Sequence, residues 1–177
     1  MEECNRHVTT VTKKSKMIRL LSLLLAVLCS GGNAFAQVAH DSELFITMQQ
    51  HDSIFFERGF NSCDTNFLKQ AVHKDLVFYH DRSGIQNKTQ FLNATVKNLC
   101  GDWNHKPIRK VRKETLEVYP LYNEGKLYGV VQTGVHDFYI REPNKPDRLT
   151  GTAKFTHVYL LENGNWILKE VLSFDHK

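Results

Sequence analysis

The sequence predicts one α+β domain, with three N-terminal helices packed on one face of an antiparallel sheet. Three observations lead there. Helical periodicity is confined to the segment before Gly101. After it come two pairs of alternating apolar–polar runs, joined by Asn123-Glu124-Gly125-Lys126 and Glu162-Asn163-Gly164-Asn165, and such turns between alternating runs are strong hairpin signals. Residues 37–177 contain no repeat and no low-complexity linker, so they read as one domain.

Asp41 or Ser42 can cap a first helix running to Arg58, with Gly59 as terminator and Leu44, Phe45, Met48 and Phe55 on its apolar face. His51 lies inside that stripe and Asp52 at its edge. Asp64 can cap a short second helix through Phe67 and Leu68. Leu76–His80 reads as a strand, closed by the turn Asp81-Arg82-Ser83-Gly84. Asn87 with Gln90 has the pattern of a capping box. It opens a third helix that carries Phe91, Leu92, Thr95, Val96 and Leu99 on one face and ends at Cys100-Gly101. The remaining strands are 112–122, 127–140, 149–161 and 166–174.

Residues 1–36 read as a secretory signal peptide, with Met17 an alternative start. Lys13, Lys14, Lys16 and Arg19 form its basic region, Leu20 to Leu28 its apolar region, and Ala34-Phe35-Ala36 a cleavage site. The apolar run is short for a membrane span, so an uncleaved anchor is disfavoured. Leu28 before Cys29 is too large for a lipidation motif. The chain is therefore expected to be exported, to the bacterial periplasm or beyond, with no stable membrane insertion after cleavage. An oxidising compartment and an even count suggest that the two remaining cysteines, Cys63 and Cys100, form a disulfide.

Charge excludes other classes. The whole chain carries +4, but five basic and two acidic residues lie in the leader. Residues 37–177 keep 18 basic and 17 acidic residues, a near-neutral balance that gives no case for nucleic acid. The basic run Lys106, Arg109, Lys110, Arg112, Lys113 reads as the solvated start of a strand. Eight histidines follow the leader, but none has a metal-binding spacing, and no cofactor motif is present. His80, Asp81, Asp175 and His176 lie near two strand ends, yet strand parity separates Asp175 from His176.

Two-residue turns set the registers. Asn163-Gly164 places His157 opposite Glu170, Phe155 opposite Leu172 and Tyr159 opposite Leu168. Glu124-Gly125 places Glu117 opposite Gln132 and Tyr119 opposite Val130. The loop at 141–148 allows Gln132 beside His157 and His136 beside Ala153. The result is a polar row, Glu117, Gln132, His157 and Glu170, on an otherwise apolar covered face. Polar groups converging in an apolar cup are how a small-molecule pocket is built; a satisfied core network is the alternative. In the pocket reading, His157 held by Glu170 is the catalytic candidate, with an imidazole pKa raised above about 6.5 by the carboxylate. Glu117, Tyr119, Gln132, His136 and Phe155 are the ligand-binding candidates.

The sequence resembles the nuclear transport factor 2-like superfamily, in its SnoaL-like, ketosteroid-isomerase-like branch, and most closely an uncharacterised exported bacterial group. The resemblance rests on Phe78-Tyr79-His80-Asp81, Gly134-Val135-His136-Asp137, Lys154-Phe155-Thr156-His157-Val158, Gly164-Asn165-Trp166 and Ser173-Phe174-Asp175-His176, and covers essentially all of 37–177. It implies a cone-shaped, cystatin-like curved antiparallel sheet covered on one face by three N-terminal helices. It does not imply a reaction, and the tyrosine-plus-aspartate oxyanion pair of ketosteroid isomerases has no match.

Three functions follow: a module binding an unknown small molecule in the cone; an isomerase- or lyase-type enzyme using His157–Glu170 as general base; and a homodimeric association domain joined through an outer sheet face carrying Leu116, Val118, Val131 and Val135. Export is tested directly. Amino-terminal sequencing of the secreted protein should begin at Gln37, and a full-length chain retained in the membrane would contradict it.

Overall fold

Ser42 starts the first helix, its Oγ accepting the Phe45 N–H at 3.2 Å and so satisfying one of the donors a helix leaves open. The computed structural model describes residues 37–177, so the leader lies outside the described residues. Helix α1 spans Glu43–Phe56 and buries Phe45, Met48, Asp52 and Phe55. It does not stop at Gly59 but widens into a π-helical turn, Glu57–Asn61. Gly59 is needed for another reason: a Cβ there would overlap the Leu68 side chain. Asp64 caps α2, Thr65–Ala71, by accepting the Phe67 N–H at 2.9 Å. Asn87 and Gln90 form the expected capping box on α3, Lys88–Ala94, which also ends in a π-helical turn, Thr95–Leu99.

Cys63 and Cys100, just beyond the two π turns, are joined as a disulfide. Their separation of 37 residues corresponds to roughly 4 kcal/mol of chain-entropy stabilisation. Among the described residues no helix is long and apolar enough to cross a membrane.

The sheet has seven strands: β1 Val72–His80, β2 Gly84–Asn87, β3 Lys106–Val111, β4 Glu117–Asn123, β5 Lys126–Arg141, β6 Arg148–Glu162 and β7 Asn165–Phe174. The order is β2-β1-β7-β6-β5-β3, with β4 beside the first half of β5. The α+β class stands. The sheet is mixed, however, because β1 runs parallel to β7. The crossover through α3 carries the chain to the far edge, and the meander returns its last strand alongside β1. Three further details differ from expectation. β1 starts at Val72, β2 and β3 are additional strands, and a 3-10 turn at Lys113–Thr115 delays β4 to Glu117.

Both tight turns form as expected, with positive φ at Glu124 and Gly125 and at Asn163 and Gly164, the geometry of mirror-image hairpin turns. Each hairpin then slips by one residue. In β6–β7 Tyr159 pairs with Leu168 but Val158 with Glu170, so Lys169 is an extra residue. In β4–β5 Leu121 pairs with Gly129 and Tyr122 with Leu127, so Tyr128 is extra. A one-residue slip moves side chains to the opposite face. His157 therefore faces Val171, Phe155 faces Ser173, Glu117 faces Thr133 and Tyr119 faces Val131, correcting four expected pairs. Leu116 and Val118, expected outside, are fully buried in the core. The β5–β6 register is as expected, with Gln132 opposite His157 and His136 opposite Ala153.

Candidate functional site

The site is built around an ion pair. Asp52 lies on the buried face of α1, at the i+4 position from Met48, and is 0% exposed. Arg109, on β3, is 4% exposed. Arg109 Nη1 and Nη2 donate to Asp52 Oδ2 and Oδ1 at 2.9 and 3.0 Å, the bidentate geometry that makes a buried pair tenable. The guanidinium carbon lies 3.4 Å from the Phe56 ring centre and 5.0 Å from that of Phe155. Asn61, at the end of the first π turn, accepts the Arg109 N–H at 2.8 Å and donates to its carbonyl at 3.1 Å, which fixes β3 against the helices.

This corrects the reading of the basic run as solvated. Lys106 and Arg109 are buried. Lys106 Nζ donates to the Phe60 and Pro107 carbonyls. Burial, with Arg141 nearby, pulls its pKa down to about 8 against the opposing field of Glu57. Arg112 and Lys110 do remain on the surface, on Asp137 and Asp147. Asp52 and Arg109 carried one legible signal: an aspartate at the edge of an apolar helical stripe, four residues after Met48, needs a cation if it is buried.

Arg109 also organises two histidines. Its Nε donates to His136 Nδ1 at 2.9 Å, so the neutral His136 ring carries its proton on Nε2. His136 stacks on Phe155 at 5.0 Å, and His157 lies between Phe155 at 4.4 Å and Phe56 at 5.4 Å. Desolvation lowers both imidazole pKa values, and the Arg109 charge pushes them further down. The expected rise for His157 is thus reversed, because Glu170 faces away and the nearest fixed charge is cationic. The linked effect on stability has a definite sign. Both groups protonate more readily when unfolded, so their contribution is complete above about pH 6.5 and falls as pH drops below it.

The wall above these rings encloses a cavity of about 410 Å³, lined by His136, His157 and Arg109 together with Phe55, Phe56, Phe60, Phe78, Phe91 and Phe138. Among the described residues His136 Nε2 and His157 Nδ1 have no hydrogen-bond partner. Behind the cavity wall the Gln132 Oε1, Tyr159 hydroxyl and His51 Nε2 also lack one, while Gln132 Nε2 donates to the Met48 carbonyl at 3.3 Å. Of the seven sequence candidates, the structure gathers His157, His136, Phe155 and Gln132. The two slips place the other three, Glu170, Glu117 and Tyr119, on the outer face. There the Tyr119 hydroxyl donates to Glu117 Oε2 at 2.6 Å, and Glu170 lies opposite Val158.

The cavity mouth holds a second cluster. Asp175 has φ +59 and its carboxylate pairs with the outward Lys154 at 3.1 Å, while His176 lines the cavity, so the two side chains part as expected and His176 alone joins His80 and Asp81. The His176 ring stacks on His80 at 4.4 Å and its Nδ1 lies 2.6 Å from Asp81 Oδ1. His176 Nε2 lies 3.3 Å from Ser173 Oγ.

No protein-family model and no curated protein matches the sequence. Solved structures do. One is a nuclear transport factor 2 superfamily protein from Salmonella enterica serovar Typhimurium, 18% identical, covering 73% of this chain and 91% of that one with a TM-score of 0.54. A second, from Xanthomonas campestris and assigned as a calcium/calmodulin dependent protein kinase II association domain, is 18% identical over 78% and 92% of the chains, with a TM-score of 0.58. A third is ActVI-ORFA from Streptomyces coelicolor, 9% identical over 77% and 98%, with a TM-score of 0.64. The chain has the nuclear transport factor 2-like fold.

Proposed function

We propose that this is an exported, SnoaL-like module that binds an uncharged, mostly aromatic small molecule carrying a carbonyl or hydroxyl oxygen. One observation carries the reading: two buried neutral imidazoles, each with a nitrogen that lacks a hydrogen-bond partner, line a cavity whose wall is mostly apolar and rich in phenylalanine. Burying such groups without a partner costs about 1–3 kcal/mol each, and a ligand oxygen would supply one. His136 Nε2–H is a donor, so the ligand must offer it an acceptor. Asp52 already neutralises Arg109, so no ligand charge is called for. The cavity volume suits a molecule of two or three fused rings. Export draws support from the leader-like residues 1–36 and from the disulfide, which persists in oxidising compartments.

Binding is tested with 1-naphthol, followed by its fluorescence, against naphthalene of nearly the same shape. The chain should bind 1-naphthol at one saturable site and prefer it to naphthalene about tenfold, the worth of one hydrogen bond. His136→Leu should erase that preference. Absence of saturable binding, or equal affinity for the two compounds, would overturn the reading.

A second reading is self-association through the outer sheet face. The inward residues of β6 are Ala153, Phe155, His157 and Tyr159, so Val158 and Leu160 point outward, on the same face as the exposed Leu172 and Phe174 of β7, which stand opposite Thr156 and Lys154. The apolar residues of this mixed face could meet those of a second copy, and the similar Xanthomonas structure is assigned as an association domain. Light scattering after size exclusion should give the mass of a dimer, reduced to a monomer by Leu172→Lys; a wild-type monomer at about 10 μM, where a standard-size interface would hold, contradicts it.

A further inference from the structure

The cluster at the cavity mouth is independent of the two wall histidines. Asp81 feels some desolvation, which favours its neutral form, but the His176 backbone N–H and imidazole outweigh it and hold the carboxyl below its ordinary pKa. A carboxylate can only accept, so His176 Nδ1 donates to it at 2.6 Å. His176 Nε2 is then an acceptor, and Ser173 Oγ is its donor at 3.3 Å. The His176 N–H reaches Asp81 Oδ2 at 3.2 Å, and Arg82 Nη2 donates to the His176 carbonyl at 2.6 Å. Lys177 exchanges backbone hydrogen bonds with Thr152 at 2.9 and 3.1 Å. The imidazole is therefore fixed from both sides of its residue. Ser173 is 6% exposed and lines the cavity, as do His176 and His80.

The same residues are close enough to suggest a metal, with ligand atoms of His80, Asp81 and His176 within 4.8 Å of one another. The hydrogen bonds argue otherwise. His80 Nδ1 accepts the backbone N–H groups of Arg82 and Ser83 at 3.1 and 3.3 Å, and His176 Nδ1 is spent on Asp81. Ligation by His176 would cost its bond to Asp81 through Nδ1 or to Ser173 through Nε2, and ligation by His80 Nδ1 would cost two backbone donors. The His80 arrangement leaves its proton on Nε2, a donor in the same cavity wall.

We propose that Asp81, His176 and Ser173 form a carboxylate–imidazole–hydroxyl relay that makes Ser173 a nucleophile toward uncharged aromatic esters entering the cavity. Such a relay works by geometry and roles, whatever the fold. Ser173 Oγ bonds to the ester carbonyl carbon, its proton passes to His176 Nε2, and the carbonyl electron pair moves onto oxygen. That pair returns as the bond to the leaving alcohol breaks, and His176 gives its proton to the departing oxygen. Water then attacks the acylated serine through the same imidazole, releasing the acid and restoring the hydroxyl. The His80 Nε2–H is the available donor for the carbonyl oxygen.

The inference rests on the cavity admitting an uncharged aromatic molecule, which the 1-naphthol titration reads separately. Its own test is labelling of the intact, disulfide-bonded chain with phenylmethanesulfonyl fluoride, followed by peptide mapping. A single adduct on Ser173 is expected. Its rate should fall on the order of a hundredfold or more in His176→Gln, and by a smaller factor in Asp81→Asn. Ser173→Ala should lose both the adduct and hydrolysis of 1-naphthyl acetate while still binding 1-naphthol, which shows that it is folded. No adduct on wild-type Ser173, or one that forms as fast in His176→Gln, overturns the relay whatever the naphthol result. Ester hydrolysis abolished by chelation and restored by zinc would overturn it in favour of a metal centre.

Discussion

The ion pair between Asp52 and Arg109 is the constraint on which the interior depends. Two charges with almost no exposure persist only as a pair, and removing either partner of such a pair typically costs about 3–5 kcal/mol. The pair ties α1 to β3, an outer strand of the sheet. It also sets the chemistry around it. The guanidinium spends two donors on the carboxylate and a third on His136, and it is pressed against Phe56. One buried cation thus fixes an imidazole tautomer and, together with desolvation, keeps neutral two histidines that line an aromatic-rich cavity.

The opposite end of the cavity is closed by a different device. Asp175 adopts a left-handed conformation, and the next residue swings back over Ser173 to meet the β1–β2 turn. The backbone of His176 and Lys177 is held by Asp81, Arg82 and Thr152. The cavity therefore has a neutral polar wall at its base and a charged, hydrogen-bonded rim at its mouth, joined by phenylalanine from both the helices and the sheet.

Much of this was legible in the sequence where one residue decides one local structure. Ser42, Asp64 and Asn87 cap the helices they were read to cap, and the two glycine turns form. Cys63 and Cys100 pair. The β5–β6 register placed Gln132, His157 and His136 correctly. What escaped depends on single-residue irregularities that period-two alternation does not encode. The extra residues Lys169 and Tyr128 sit in sequences that alternate on either side of them, so nothing local announces the slip, yet each one flips a carboxylate to the outer face. β3 was hidden because Lys106 and Arg109 look like solvated charge until Phe60 and Asp52 are known to meet them. The left-handed turn at Asp175 escaped because a non-glycine residue at positive φ is rare.

The central claim is that burial together with Arg109, rather than a carboxylate, sets the state of the two cavity histidines. Nitrogen-15 NMR of the imidazoles between pH 7 and 4.5 reads this directly. The account predicts that His136 and His157 stay neutral throughout, with His136 protonated on Nε2 and its Nδ1 hydrogen-bonded. A midpoint near or above the ordinary value of about 6.5 for either ring, or a proton on His136 Nδ1, would contradict it.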